Sequence, residues 1–110
     1  MRTYYNPEDL ARFGAMGEDA PELWEGFTAY YGKVFAEGAL TAREKALIAF
    51  GVAHAIQCPY CIDSYAQALL EMGVTREQMI EAVHAAAAIR GGAALAHGMQ
   101  AKNAIGKLEL

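Results

Sequence analysis

The sequence predicts an all-α protein: a compact bundle of about six helices that forms one domain over residues 1–110. First, 55% of the residues are hydrophobic, alanine dominates, and β-branched runs are few, which favours helix. Second, apolar residues recur at helical spacing and no segment alternates as a strand does. Third, Thr41-Ala-Arg-Glu44 and Thr75-Arg-Glu-Gln78 have the form of capping boxes, which mark helix starts. The length suits one domain.

The first two helices precede the capping boxes. The first is expected to open at Asn6-Pro7, with Asn6 as N-cap, and to end near Gly17. The second is expected to run from about Asp19 to Phe35, because Asp19 can cap it and a proline is tolerated in its first turn. Its apolar positions at helical spacing are Leu23, Phe27, Tyr30, Tyr31 and Val34.

The third helix starts at Thr41, and its nearly continuous apolar surface predicts a central helix buried on several sides. Pro59 interrupts it, because proline has no amide proton and clashes with the preceding turn. We expect a break near Gln57, with Cys58 as the N-cap of a fourth helix and Pro59 at its first position. That helix should end at Gly73.

The fifth helix starts at Thr75, and Gly91-Gly92 is expected to break or bend the chain. A last helix is expected from about Ala93 to Ala104.

Charge and hydropathy exclude several function classes. The net charge of −4 argues against nucleic-acid binding, which normally needs a basic patch. No apolar run reaches the roughly 18 residues of a membrane span. The start of the chain lacks the pattern of a signal peptide, so a cytoplasmic location is expected. Two close cysteines in that compartment are more often catalytic or metal-binding than structural.

Both cysteines lie in Cys58-Pro-Tyr-Cys61, and this pair is the main candidate site. At a helix start, unpaired amides and the macrodipole stabilise a thiolate, so we expect a lowered cysteine pKa. Two alternatives stay open. The cysteines could be small buried hydrophobic residues. They could also bind zinc with two histidines, although His84 and His97 lie thirteen residues apart and form no paired ligand motif.

Several neighbours could move protons for the pair. His54 lies one turn before Cys58, and it is either a base for the thiol or a core histidine bonded to a carbonyl. Tyr65 follows Cys61 by four residues and is either a hydrogen-bond donor or a packing residue. His84 is a further candidate, with a core role as its alternative. Tyr60 is expected to face solvent or a partner.

These motifs resemble a known family. Residues 41–53, the pair Cys58-Pro-Tyr-Cys61, the alanine-rich helix and Gly91-Gly92 together look like the alkylhydroperoxidase D-like core of the carboxymuconolactone decarboxylase superfamily. The likeness covers roughly residues 20–105. The Tyr-Tyr start and the segment from His84 to His97 resemble a peroxidase-like subgroup associated with arsenosugar biosynthesis.

The resemblance implies an all-helical, homo-oligomeric enzyme, commonly a trimer or hexamer. It implies a thiol peroxidase or disulfide reductase cycle in which Cys61 attacks the peroxide and Cys58 resolves the sulfenic acid as a disulfide. The substrate would be a small hydroperoxide or another thiol-reactive molecule. A dithiol or thioredoxin-like protein would restore the pair, and no cofactor is expected.

The proton relay of the family does not carry over. The family has a glutamate twelve residues before the first cysteine, a histidine before the second and another four after it, where this sequence has Ala46, Tyr60 and Tyr65. We therefore expect His54, together with His84 and Tyr65, to supply a substitute path. The alternatives are a metal- or arsenical-binding thiol module without turnover, and a lyase of the lactone-decarboxylase kind.

Overall fold

The computed structural model describes residues 4–109, which contain five α-helices and one 3-10 helix and no strand. Helix α1 spans Glu8–Ala11 and is followed by the 3-10 helix Phe13–Gly17. The longer helices are α2 (Pro21–Phe35), α3 (Ala42–Ala55), α4 (Pro59–Glu71) and α5 (Arg76–Leu108). The predicted all-helical class is confirmed. None of the helices in the described range is both long and apolar enough to cross a bilayer.

The two capping boxes begin α3 and α5 as predicted. The Thr41 hydroxyl accepts the Glu44 amide at 3.0 Å, and the Glu44 carboxylate accepts the Thr41 amide at 2.8 Å. Thr75 and Gln78 make the same reciprocal pair at 3.1 and 3.0 Å. The hydrogen bonds with Thr41, first that from its amide, hold the pKa of Glu44 below its usual value. Glu44 is therefore a capping residue.

The N-terminal helices differ from the prediction. The first helix lasts only four residues, and the chain turns at Arg12 into the 3-10 helix that ends at Gly17. A Cβ at Gly17 would lie 2.6 Å from the Trp24 ring, so the two segments meet where only glycine fits. The Asn6 side chain accepts the Glu8 amide at 3.1 Å, although the helix boundary lies at Pro7.

The predicted cap of α2 is wrong. Its N-cap is Ala20, which makes no side-chain cap bond, and Asp19 lies one residue outside. Pro21 at the first helical position begins the helix instead, because its fixed φ suits that position and its missing amide proton is not needed there.

Helix α5 continues through Gly91 and Gly92, so the predicted break and the separate last helix are wrong. Each glycine disfavours helix by about 1 kcal/mol relative to alanine. The alanines on both sides, Ala85–Ala88 and Ala93–Ala94, are the strongest helix formers and keep the helix intact. Its 33 residues extend roughly 50 Å at the rise of an α-helix.

The core lies where α3 packs against α4 and α5. It is formed by Ala46, Phe50, Leu69 and Val74, with Ala53 also buried. The opposite face of α3 is open, since Ile48 and Val52 are each about half exposed. The expectation that α3 is buried on several sides is therefore wrong for the single chain.

The chain is also less compact than predicted. Its radius of gyration is 18.9 Å, whereas a compact domain of this length has about 13 Å. The second half of α5 projects from the core and exposes Leu95 and Met99. The predicted bundle is thus correct in its helices and wrong in its compactness.

Candidate active site

The turn between α3 and α4 fixes the backbone of the first cysteine. Gln57 takes a left-handed conformation with φ 59°, and its amide donates to the His54 carbonyl at 3.2 Å. The Cys58 amide donates to the Ala53 carbonyl at 2.9 Å, which completes a Schellman ending of α3. Cys58 is then the N-cap of α4 and Pro59 follows it. The predicted break, cap and proline position are all confirmed.

The two cysteines form no disulfide in this structure, are partly buried, and lie next to each other at the start of α4. The Cys58 sulfur accepts the backbone amide of Cys61 at 3.3 Å, so it takes the place that an oxygen has in an ordinary N-cap. This amide and the positive end of the helix both stabilise negative charge on the Cys58 sulfur.

Cys61 departs from the expected lowered pKa. Burial, followed by its hydrogen bond to Cys58 and by the charge of Cys58, raises the pKa of Cys61 to about 11. Cys61 therefore keeps its proton at neutral pH. The expected lowering fails for Cys61 because burial of its thiol, together with the neighbouring Cys58, outweighs the backbone hydrogen bond that lowers its pKa.

Tyr65 lies beside the pair and is tied to α2. Its hydroxyl is in hydrogen-bonding contact with that of Tyr31, and its ring packs on Phe35 at a centroid distance of 5.5 Å. Burial, followed by the contact with Tyr31 and the charge of Cys61, raises the pKa of Tyr65 well above its ordinary value. Tyr65 is thus a protonated donor throughout the physiological range.

Tyr60, between the cysteines, does not face open solvent as expected. Its hydroxyl accepts the Asn6 amide at 3.3 Å and donates to the Tyr4 carbonyl at 3.4 Å. Its ring meets Tyr5 edge-on at 4.9 Å. The N-terminal segment therefore lies against the start of α4, where the cysteines are.

The histidines do not gather at the pair. The His54 Nδ1 lies 2.8 Å from the Phe50 carbonyl of its own helix, and its ring packs edge-on against Phe50 at 4.6 Å. This is the arrangement of a structural histidine, the alternative left open for it. His84 and His97 are exposed on α5, which contradicts a core role for His84. No hydrogen bond joins a histidine to either cysteine in residues 4–109.

Within those residues, no three histidine, cysteine or acidic side chains are grouped so that they could hold a metal ion. The four-ligand zinc site considered from the sequence is therefore not assembled there. Ala46 stands at the position of the family's glutamate. It is buried in the core, and its methyl group cannot transfer a proton.

The cysteines open into a pocket of about 1000 Å³ between the N-terminal helices and the start of α4. Six aromatic side chains are joined by five successive ring contacts, from Phe13 and Trp24, whose centroids lie 4.9 Å apart, to Phe35 and Tyr65. The pocket lining includes Phe13, Met16, Trp24, Phe27, Tyr31, Cys58, Tyr60, Cys61, Ser64 and Tyr65.

Sequence reasoning missed Trp24 and Tyr31 as site residues. Helical spacing identified the apolar face of α2, which includes Tyr31. Helical spacing alone does not show that this face packs over the cysteines and not into the hydrophobic core. The sequence signal that remained was the concentration of aromatic side chains on one helix.

Comparison with known proteins agrees with this architecture. A model of the carboxymuconolactone decarboxylase family matches residues 21–104. A Paracoccus denitrificans protein named uncharacterized protein 4 in cox locus is 41% identical over 95 residues, which are 86% of each chain.

Two crystal structures are similar in fold. One is a protein from Methanobacterium thermoautotrophicum, with a TM-score of 0.70 and 39% identity over 80% of this chain and 94% of that one. The other is the apo form of a carboxymuconolactone decarboxylase family protein from Legionella pneumophila, with a TM-score of 0.69 and 31% identity over 91% and 89% of the two chains.

Proposed function

The chain belongs to the carboxymuconolactone decarboxylase family, and on that premise we propose that it is a thiol-dependent peroxidase that uses Cys58 and Cys61 as a redox pair. One observation carries the proposal: the Cys58 sulfur accepts the Cys61 amide at the start of α4 and opens into an organic-sized pocket. The amide and the helix start favour negative charge on this sulfur, and a thiolate is the nucleophile in thiol chemistry.

The reaction has two steps. The Cys58 thiolate attacks the terminal oxygen of a hydroperoxide, forming an S–O bond while the O–O bond breaks, and the departing alkoxide takes a proton to leave as the alcohol. The Cys61 sulfur then attacks the sulfenic acid on Cys58. An S–S bond forms, the S–O bond breaks, and the leaving hydroxide takes the Cys61 proton as water. The peroxide is reduced and the two thiols are oxidised to a disulfide.

This order of attack reverses the one that the family resemblance implies. Attack by Cys61 needs a group that removes its proton, and the positions of the family relay hold Ala46, Tyr60 and Tyr65. Without that relay, a thiol whose pKa is raised to about 11 is a poor first nucleophile. The helix start favours Cys58 instead.

Tyr65 is the proposed donor to the departing oxygen. It lines the same pocket as both cysteines and stays protonated, so its hydroxyl can stabilise negative charge that develops on the leaving group. Tyr31 is a positioning residue that holds this hydroxyl. His54 and His84 have no contact in the described residues that supports the relay role first expected for them.

The proposal includes the partners that the sequence suggested. A dithiol or thioredoxin-like reductant would attack the Cys58–Cys61 disulfide and release both thiols. Association of several copies, as a trimer or hexamer, would cover the exposed apolar side chains of α5. A cytoplasmic location and a link to arsenosugar metabolism belong to the same proposal.

The test is consumption of cumene hydroperoxide with dithiothreitol as reductant. Wild type should consume the hydroperoxide catalytically, and the double variant Cys58→Ser/Cys61→Ser should not. Lactone decarboxylation that persists in the double variant would favour a lyase. Tight binding of zinc or of phenylarsine oxide without peroxide turnover would favour a binding module.

A further inference from the structure

The pocket beside the cysteines is much larger than hydrogen peroxide requires. Its volume of about 1000 Å³ is at the upper end for small-molecule sites, which usually bury most of a drug-sized ligand. Hydrogen peroxide is about the size of two water molecules and would leave most of this space wet. The volume therefore leaves room for an organic ligand larger than hydrogen peroxide.

The walls of the pocket favour aromatic or branched apolar groups. Trp24 lies between Phe13 and Phe27, with centroid distances of 4.9 and 6.0 Å, and Tyr31 follows Phe27 at 5.7 Å. Phe27 remains 46% exposed in the single chain, so apolar surface is available to a ligand. Burying such surface is the main source of affinity for an uncharged molecule.

The charges around the pocket select against anions. Its ionised side chains are three carboxylates, those of Asp9, Glu18 and Asp19, and one guanidinium, that of Arg12. Arg12 is already paired with Asp9 at 3.3 Å. The described lining therefore carries a net negative charge. A ligand with a carboxylate would meet this net negative charge, and Arg12, the one cation in the described lining, already has a carboxylate partner.

We propose that the pocket binds a neutral, aryl-sized apolar hydroperoxide and excludes carboxylate-bearing analogues. The aromatic body lies against Trp24 and Phe27, and the hydroperoxide group reaches Cys58. The chemical step is the one written above, so the catalytic part rests on the proposed function. The binding preference rests on the pocket alone.

Trp24 provides a direct binding signal because it is the only tryptophan in the chain. The two probes are 2-phenyl-2-propanol, which is neutral, and 4-isopropylbenzoate, which has a similar body and a carboxylate. Titration of the reduced protein should give a saturable fluorescence change with the alcohol. Its dissociation constant should be at least about tenfold lower than that of the carboxylate, which is the size of effect expected from one unfavourable charge.

Two kinds of variant test the cause. Phe27→Ala should weaken binding of the alcohol about tenfold, whereas Tyr30→Ala, on the same helix but outside the pocket lining, should leave it unchanged. The double variant Glu18→Gln/Asp19→Asn should bring the two probes closer in affinity. This charge test preserves side-chain size and stands even where Phe27→Ala fails to fold.

The outcomes separate this inference from the proposed function. Saturable, charge-selective binding with no thiol oxidation by cumene hydroperoxide supports the pocket and overturns the peroxidase. Equal thiol oxidation rates with hydrogen peroxide and cumene hydroperoxide, together with no fluorescence change, support the redox pair and overturn the inference. Equal affinity for both probes also overturns it.

Discussion

The hydroxyl groups of Tyr31 and Tyr65 are in hydrogen-bonding contact between α2 and α4. Tyr65 occupies a position where the family has a histidine, and Tyr31 comes from a helix that the sequence placed only as an apolar face. The contact connects α2, which forms a wall of the pocket, to the helix that begins at the cysteine pair.

Replacing Tyr65 with phenylalanine should slow single-turnover oxidation of the thiols by cumene hydroperoxide about tenfold, the value of roughly one hydrogen bond to developing charge. Tyr31→Phe should have a smaller effect, about threefold, because it positions the donor without replacing it. Tyr30→Phe is the matched control, since Tyr30 is 69% exposed and outside the pocket lining. Equal rates in Tyr65→Phe and wild type would contradict the donor role.

His54→Ala should cost about 1 kcal/mol of unfolding free energy, because the ring loses its hydrogen bond to Phe50 and its packing. The rate and pH profile of thiol alkylation should stay as in wild type. His97→Ala, on an exposed position of α5, is the control for stability. A shifted alkylation profile in His54→Ala would instead restore the relay role expected from the sequence.

The raised pKa of Cys61 predicts a pH dependence of stability. The folded thiol holds its proton more tightly than the unfolded one, so its contribution is complete below the unfolded pKa, near 8.5. It should be lost as pH rises toward the folded value of about 11. Urea unfolding of the reduced protein across this range should show the decline.

Cys58→Ser should reduce that decline, because the hydrogen bond and charge of Cys58 contribute to the raised pKa of Cys61 while burial remains. The thiolate absorbance of Cys61 in this variant should appear at lower pH than in wild type. An unchanged or higher titration midpoint would show that Cys58 does not hold the proton on Cys61.

Gly91→Ala and Gly92→Ala should each stabilise the protein by about 0.5–1 kcal/mol, because both lie inside α5 and an added Cβ meets nothing within 4 Å among the described residues. Gly73→Ala is the contrast. Its φ of 81° disfavours any side chain, so it should destabilise by about 1 kcal/mol. Destabilisation at Gly91 or Gly92, with loss of association, would show that another copy packs closely there.

Local chemistry explains which parts of this structure were predictable. Thr41, Thr75 and Pro59 act within one helical turn, so their spacing alone located the starts of α3, α5 and α4. The break predicted at Gly91 and Gly92 is wrong because helix propensity is summed over the whole helix, and the surrounding alanines outweigh two glycines.

The site was predictable only in part for the same reason. Cys58, Cys61 and Tyr65 lie on one short helix, and their spacing identified them. Tyr31 reaches the site through tertiary packing, which spacing along the chain does not encode. The same limit applies to His84. The sequence made it a candidate for the proton path, but the structure shows it exposed on α5.

Cys58 and Cys61 are proposed to form a redox pair in which Cys58 attacks first. The most direct test is intact mass spectrometry after one equivalent of cumene hydroperoxide is added to reduced wild type, Cys61→Ser and Cys58→Ser. Wild type should form a disulfide, so that both thiols disappear and the mass falls by two hydrogens. Cys61→Ser should gain one oxygen as a sulfenic acid on Cys58, which dimedone traps. Cys58→Ser should react far more slowly. Rapid oxidation of Cys58→Ser with an inert Cys61→Ser would assign the attack to Cys61, and unchanged thiols in wild type would contradict the redox pair itself.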